Sequence, residues 1–324
     1  MSSASEGCFP SSSVPSITRV PRRTTLLTGD GVRIEAVYTP CTAGSEGPGS
    51  RAPEGVAVVL AHGFTGAVDR PALLRAAAVF AQRAAVVTFS FRGHGRSGGR
   101  STVGDREVLD LAAAVAWARS LGHRRVVTVG FSMGGSVVLR HAALYTAGKA
   151  AESVNEDSAT VRSERVARRA EAQRAHEGRA AAHSSGHSGT TAHTDAVVAV
   201  SAPARWYYRG TAPMRRLHWV VTRPTGRLVG RYGFRTRIHR EDWDPVPLSP
   251  VEAVPLITAP LLIVHGDRDP YFPVDHPRML AGAAADGAEL WLEHGMGHAE
   301  NAADAELLAR IADWAGSACS MMDS

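Results

Sequence analysis

Cysteine is scarce in this sequence of 324 residues: Cys8, Cys41 and Cys319 stand far apart and are odd in number. They form no CxxC pair and no disulfide framework, which points to a reducing compartment. Long apolar runs are missing as well. None approaches the ~20 residues a membrane-spanning helix needs, and the Ser/Pro/Gly-rich stretch 1–23 lacks the apolar core of a secretion signal. No internal repeat is apparent. A soluble, cytoplasmic protein without a membrane span is expected.

What is present fits one large α/β domain with insertions. Hydrophobic residues make up 44% of the chain, enough for a sizeable core, and the formal net charge is +5. A basic balance can signal an anionic partner. Here arginine-rich stretches outside the expected core account for it, so no nucleic-acid partner is expected.

Residues 1–20 read as a disordered lead-in. Two strand-like runs follow, Thr24–Thr28 and Val32–Thr39, and after a Ser/Gly/Pro-rich loop comes Val56–Ala61, apolar throughout as in a strand covered on both faces. Strands and helices then alternate. A helix over Pro71–Arg83 precedes a strand at Ala85–Phe91, a helix over Asp105–Leu121 precedes a strand at Arg125–Gly130, and a helix follows over Gly134–Tyr145. Such alternation predicts right-handed crossovers and a largely parallel sheet. From about 148 to 195 the chain is dominated by Ala, Arg, Glu, Ser and His, a low-complexity charged insertion that cannot bury a core. Its His183, His187 and His193 lie among Ser, Gly and Thr and read as a solvated linker rather than a metal site. The core pattern resumes with strands at Ala196–Val200, Leu261–His265 and Glu289–Glu293 and helices over Val274–Ala285 and Ala302–Ala315. The core is thus 21–147 with 196–318. Between its later strands, 203–250 mixes aromatic and basic residues and is expected to form a lid or cap over a pocket.

The pattern Gly-x-Ser-x-Gly marks a nucleophile elbow, a sharp strand-to-helix turn that lifts a serine hydroxyl out of a sheet. Chance alone would supply it ~0.3 times in a chain of this length and composition; it occurs twice. Ser132, in Gly130-Phe131-Ser132-Met133-Gly134, directly follows an apolar strand and precedes a helical run. Ser97, in Gly95-Arg96-Ser97-Gly98-Gly99, has polar loop on both sides, so Ser132 is the candidate nucleophile. Gly93, Gly95 and Gly98 also fit Gly-x-Gly-x-x-Gly, but no helix opens within that motif and no acidic residue ends the next strand, as a dinucleotide site requires.

A serine hydroxyl needs a neighbouring base. His298, in the small-residue loop after the last strand, is the candidate, ahead of His294, which abuts that strand. The orienting acid should follow the preceding strand, in Gly266-Asp267-Arg268-Asp269-Pro270. Asp269 clears the strand end and is preferred; Asp267 is expected to cap the turn through backbone N–H groups. The negative oxygen of a tetrahedral intermediate needs donors. The Met133 N–H, at a helix N-terminus, is one; the Phe64 N–H, in His62-Gly63-Phe64-Thr65-Gly66 after strand Val56–Ala61, is the other.

These elements, with Arg92-Gly93-His94-Gly95-Arg96-Ser97 between them, occur in one order over about Thr24–Ala315. In this the chain resembles the α/β-hydrolase superfamily, in its group of esterase, lipase and serine-aminopeptidase-like members. The resemblance implies a mostly parallel sheet flanked by helices, a Ser132–His298–Asp269 catalytic triad, an oxyanion hole at Phe64 and Met133, and a cap at 203–250. It implies acyl transfer on a small-molecule, ester-like substrate, a chemistry that needs no metal or organic cofactor; the aromatic residues of 203–250 point to an apolar acyl or aryl group. The same triad serves acyltransferases, thioesterases, aminopeptidases and cofactor-free perhydrolases, and some members of the fold only bind ligands. The resemblance assigns no role to the 148–195 insertion.

Overall fold

The computed structural model describes residues 21–42, 55–146, 192–285 and 287–321, with 169, 171 and 172. The lead-in and most of the 148–195 insertion lie outside the described residues. The strands are β1 (Arg22–Leu27), β2 (Arg33–Thr39), β3 (Val56–Ala61), β4 (Ala85–Phe89), β5 (Arg125–Phe131), β6 (Ala196–Val200), β7 (Leu261–Gly266) and β8 (Glu289–Glu293). They form one eight-stranded sheet in the order β1-β2-β4-β3-β5-β6-β7-β8. β1 and β2 are antiparallel additions at one edge; every pairing from β4 to β8 is parallel.

Why these strands read as unbroken apolar runs is visible in β3, buried along its whole length. Its side chains alternate between two cores. Ala57, Val59 and Ala61 join the cluster under helices α2 (Glu107–Ser120) and α3 (Met133–Leu144). Val56, Val58 and Leu60 join the opposite one, under α1 (Pro71–Phe80) and the C-terminal helix. The sheet is thus the middle layer of three. The chain leaves β3 for β4 on one side, and later strands build outward from β5 on the other. The crevice between the carboxyl ends of β3 and β5 is therefore the switch point where ligands bind in open α/β sheets.

Among the boundaries that differ from those read in the sequence, three have a visible cause. β4 stops at Phe89, because the Phe91 N–H goes to the His62 ring and the Ser90 N–H to the Glu35 carbonyl. Thr194 and Asp195, grouped by composition with the insertion, are buried, and Asp195 accepts the Val126 N–H and pairs with Arg119. The expected last helix is two. The segment 203–250 contains α4 (Ala212–Thr222) and α5 (Pro224–Tyr232), and α6 (Pro250–Ala253) and α7 (Asp275–Ala283) follow. α8 (Ala299–Ala302) then ends before α9 (Ala305–Ser320), because the Asp304 side chain accepts the Leu307 N–H and caps a fresh start.

Candidate active site

Ser132 stands between β5 and α3 with φ 51° and ψ −112°. A non-glycine residue in that region is strained by ~1–3 kcal/mol and persists only where its surroundings impose it. The imposition comes from both flanking glycines. A Cβ at Gly130 would overlap the Gly134 carbonyl, and one at Gly134 would overlap the carbonyls of Ala61 and His62. The helix start is thereby pressed against the end of β3, and the serine is left at the apex.

The hydroxyl donates to His298 Nε2 at 2.8 Å, and His298 Nδ1 donates to Asp269 Oδ2 at 2.7 Å. Asp269 lies after β7, and its side chain is fully buried. Its other oxygen accepts the Tyr271 and Phe272 N–H groups at 2.8 and 3.1 Å. Burial alone would raise its pKa. The His298 hydrogen bond and charge, with those two N–H groups, outweigh burial and hold the carboxyl below its ordinary value. The Tyr271 ring lies over the His298 ring, with centroids 4.3 Å apart. His298 itself is held in place from β6: the Ala299 N–H donates to Ser201 Oγ.

The competing residues have other partners. Asp267 Oδ2 meets His294 Nδ1 at 2.8 Å, and its Oδ1 accepts the Gly295 N–H, forming an outer pair in which the histidine side chain is 89% exposed. Ser97 is buried; its hydroxyl donates to the Ser90 carbonyl and accepts the Glu35 N–H, fastening its loop to β2. Gly93 and Gly95 serve the same loop: a side chain there would overlap Arg237, Ser101 or Glu35.

Met133 opens α3, where a first-turn N–H has no acceptor within the helix. Phe64 sits in the turn closed by the Gly66 N–H on the Gly63 carbonyl. Gly63 lies against the serine: a Cβ added to it would be 3.5 Å from that of Ser132. Three residues without a role in the sequence reading hold this turn. His62 Nε2 accepts the Phe91 N–H at 3.0 Å, so its Nδ1 carries the proton donated to the Gly63 carbonyl. Burial, with His94 and Arg70 nearby, lowers its pKa to about 3 and keeps it neutral. His94 Nε2 contacts the Phe64 carbonyl, and burial lowers its pKa too. Glu300 Oε1 accepts the Gly63 N–H at 3.0 Å. His94 belongs to a motif quoted from the sequence. Nothing local marked Glu300, whose partner is 237 residues away.

Residues 203–250 span the loops around this centre. Thr211 Oγ1 donates to the Tyr271 carbonyl, Arg70 to the Phe234 carbonyl, and Trp243 Nε1 to the Thr102 carbonyl; Ile238 bridges to Ser101. Trp206, Tyr207 and Trp243 form one aromatic cluster there. Among the described residues, no group of three or more His, Cys, Asp or Glu side chains is arranged to hold a metal ion. His193 lies 3.8 Å from Asp195, while His183 and His187 fall outside the described residues. Also among the described residues, no helix is long and apolar enough to cross a membrane.

A strand–serine–helix turn at the switch point, with a histidine and an aspartate arriving from the last two strand ends, is the arrangement of an α/β-hydrolase. The model of the alpha/beta hydrolase family matches residues 58–311, and the chain belongs to that family. No curated protein matches it. Among solved structures it is similar in fold to an esterase of Pyrococcus furiosus, at 18% identity and a TM-score of 0.58 over 92% of each chain. It is also similar to the esterase domain of a Rhodothermus marinus protein, at 16% identity and a TM-score of 0.53, over 92% of this chain and 97% of that one. A Butyrivibrio proteoclasticus protein with ferulic acid bound gives 16% and 0.51, over 93% and 98%.

Proposed function

We propose that this chain is a serine hydrolase that cleaves a carboxylic ester through an acyl-enzyme intermediate. The observation that carries the reading is the unbroken chain from the Ser132 hydroxyl through His298 to the buried Asp269 carboxylate, with both hydrogen bonds under 3 Å. Ser132 Oγ attacks the ester carbonyl while its proton passes to His298 Nε2. The new C–O bond leaves a tetrahedral oxyanion facing the N–H groups of Phe64 and Met133. Collapse breaks the bond to the leaving alkoxide, which takes the proton from His298. A water molecule, deprotonated by the same nitrogen, then attacks the acyl group and returns Ser132. Asp269 fixes the tautomer that presents Nε2 as the acceptor and stabilises the imidazolium.

The substrate side is expected to be a small molecule with an apolar acyl or aryl group, because Tyr271 and Phe272 pack against His298 beside the serine. Residues 203–250 act as the cap over that group, and the scattered cysteines fit a cytoplasmic setting. The test is a panel of p-nitrophenyl esters, the matching thioesters and aminoacyl anilides. Ester hydrolysis with a stoichiometric burst of nitrophenol supports the reading. Turnover confined to thioesters or anilides, or no turnover of any member, rejects it.

A further inference from the structure

The outer surface of the cap takes no part in the core or in the proposed chemistry. In α5 the small residues face inward: a side chain at Gly226 would overlap the Trp219 carbonyl, and Gly230 lies against Ile238 and Val220. Leu228 and Tyr232, one turn apart on the opposite side, are 56% and 74% exposed. Val229 and Phe234 beside them are exposed too. A surface helix ordinarily turns its apolar stripe to the core; here the largest apolar side chains meet water. On α4, Trp219 is exposed among Arg215, Arg216 and Arg223. The inner aromatics Trp206 and Trp243, by contrast, bind carbonyls of the protein itself.

The charge along α4, α5 and the turn after them has one sign; acidic side chains resume at Glu241, Asp242 and Asp244, around Trp243. Residues 203–240 contain ten arginines and no Asp or Glu. All ten except Arg227 are exposed, and among the described residues none of the ten pairs with a carboxylate. Arg215 and Arg227 donate to backbone carbonyls, and Arg205 to the Met279 sulfur. Arg231 lies 5.5 Å from the centroid of the exposed Tyr232 ring. The occupant must therefore be anionic and also offer an apolar phase. A second copy of the chain would bring arginine against arginine. A nucleic acid would supply phosphates but nothing in which to bury Leu228 and Val229. An anionic bilayer surface satisfies both requirements, with lipid phosphates for the guanidiniums and the acyl boundary for the aliphatic and aromatic side chains.

We propose that α4, α5 and the turn after them dock the protein on an anionic membrane surface. The proposal stands apart from the ester chemistry, since it needs neither Ser132 nor its partners.

Flotation of the full chain with phosphatidylcholine vesicles, with and without about one-third phosphatidylglycerol, tests it. The protein should float with the anionic vesicles, stay behind with the neutral ones, and be released near ~0.5 M salt. Arg231→Gln with Arg235→Gln should lower partitioning about 25-fold, at ~5-fold per guanidinium. Leu228→Ser with Tyr232→Ser should lower it at least ~10-fold. Thermal melts of the variants separate lost docking from lost folding, and the lipid and salt dependence of the wild type needs no variant. No flotation, equal recovery on both vesicles, or folded double variants that still bind would overturn the proposal. So would wild type that ignores vesicles but binds single-stranded RNA, or that forms a dimer dissolved by the Leu228/Tyr232 substitutions.

Discussion

Glu300 Oε1 accepts the Gly63 N–H at 3.0 Å, so the loop that carries His298 also sets the turn that carries Phe64. One short segment thus orients both the proposed base and a proposed oxyanion donor. Glu300→Gln keeps an acceptor at that point and should hold kcat within about threefold. Glu300→Ala leaves a buried N–H unpaired and lets the Phe64 N–H drift. Its kcat should fall at least ~10-fold, short of the ~100-fold or more that follows complete loss of an oxyanion donor, with KM little changed. Steady-state kinetics on one ester checks both.

The two aspartate–histidine pairs give a second contrast. Asp269→Asn should lower kcat by roughly 10⁴-fold, because an amide favours the wrong imidazole tautomer. Asp267→Asn touches only an exposed pair and should leave kcat within about twofold. A reversal of this order, measured side by side, would move the acid to Asp267.

Asp269 also ties stability to pH. Its folded pKa lies below the ordinary carboxylate value, so on acidification the unfolded chain takes up the proton first. The stabilisation is complete above about pH 4 and is lost as pH falls through the depressed folded value. Melting temperatures at pH 5 and pH 3 should therefore drop less in Asp269→Asn than in the wild type.

The elbow glycines are required by space. Gly134→Ala puts a methyl group into the carbonyls of Ala61 and His62, and should lower the melting temperature by at least ~5 °C. Gly282→Ala, in α7 with nothing within 4 Å, should instead stabilise by ~0.5–1 kcal/mol. Calorimetry of the two variants distinguishes tight packing from helix propensity.

The position of Ser132 was legible because a strand–serine–helix turn is a local object: apolar strand, two glycines, helix, all within the twenty positions 125–144. The loops bearing Asp269 and His298 could be ordered because each follows a strand that announces itself. The residues that support them could not. The bonds from His62 to Phe91, His94 to Phe64 and Glu300 to Gly63 join loops that only the folded sheet brings together. The break between α8 and α9 rests on a single cap at Asp304, which a continuous Ala- and Leu-rich pattern conceals. Helix α5, within 203–250, was hidden for the opposite reason, since its large apolar residues Leu228, Val229 and Tyr232 follow the outer face and not a core.

Covalent labelling with a fluorophosphonate tests the central claim most directly, because only an activated serine reacts. The account predicts one adduct per chain, on the peptide that carries Ser132, and no adduct on Ser132→Ala. A wild-type protein that stays unlabelled, or a variant that labels as fast as the wild type, would contradict it.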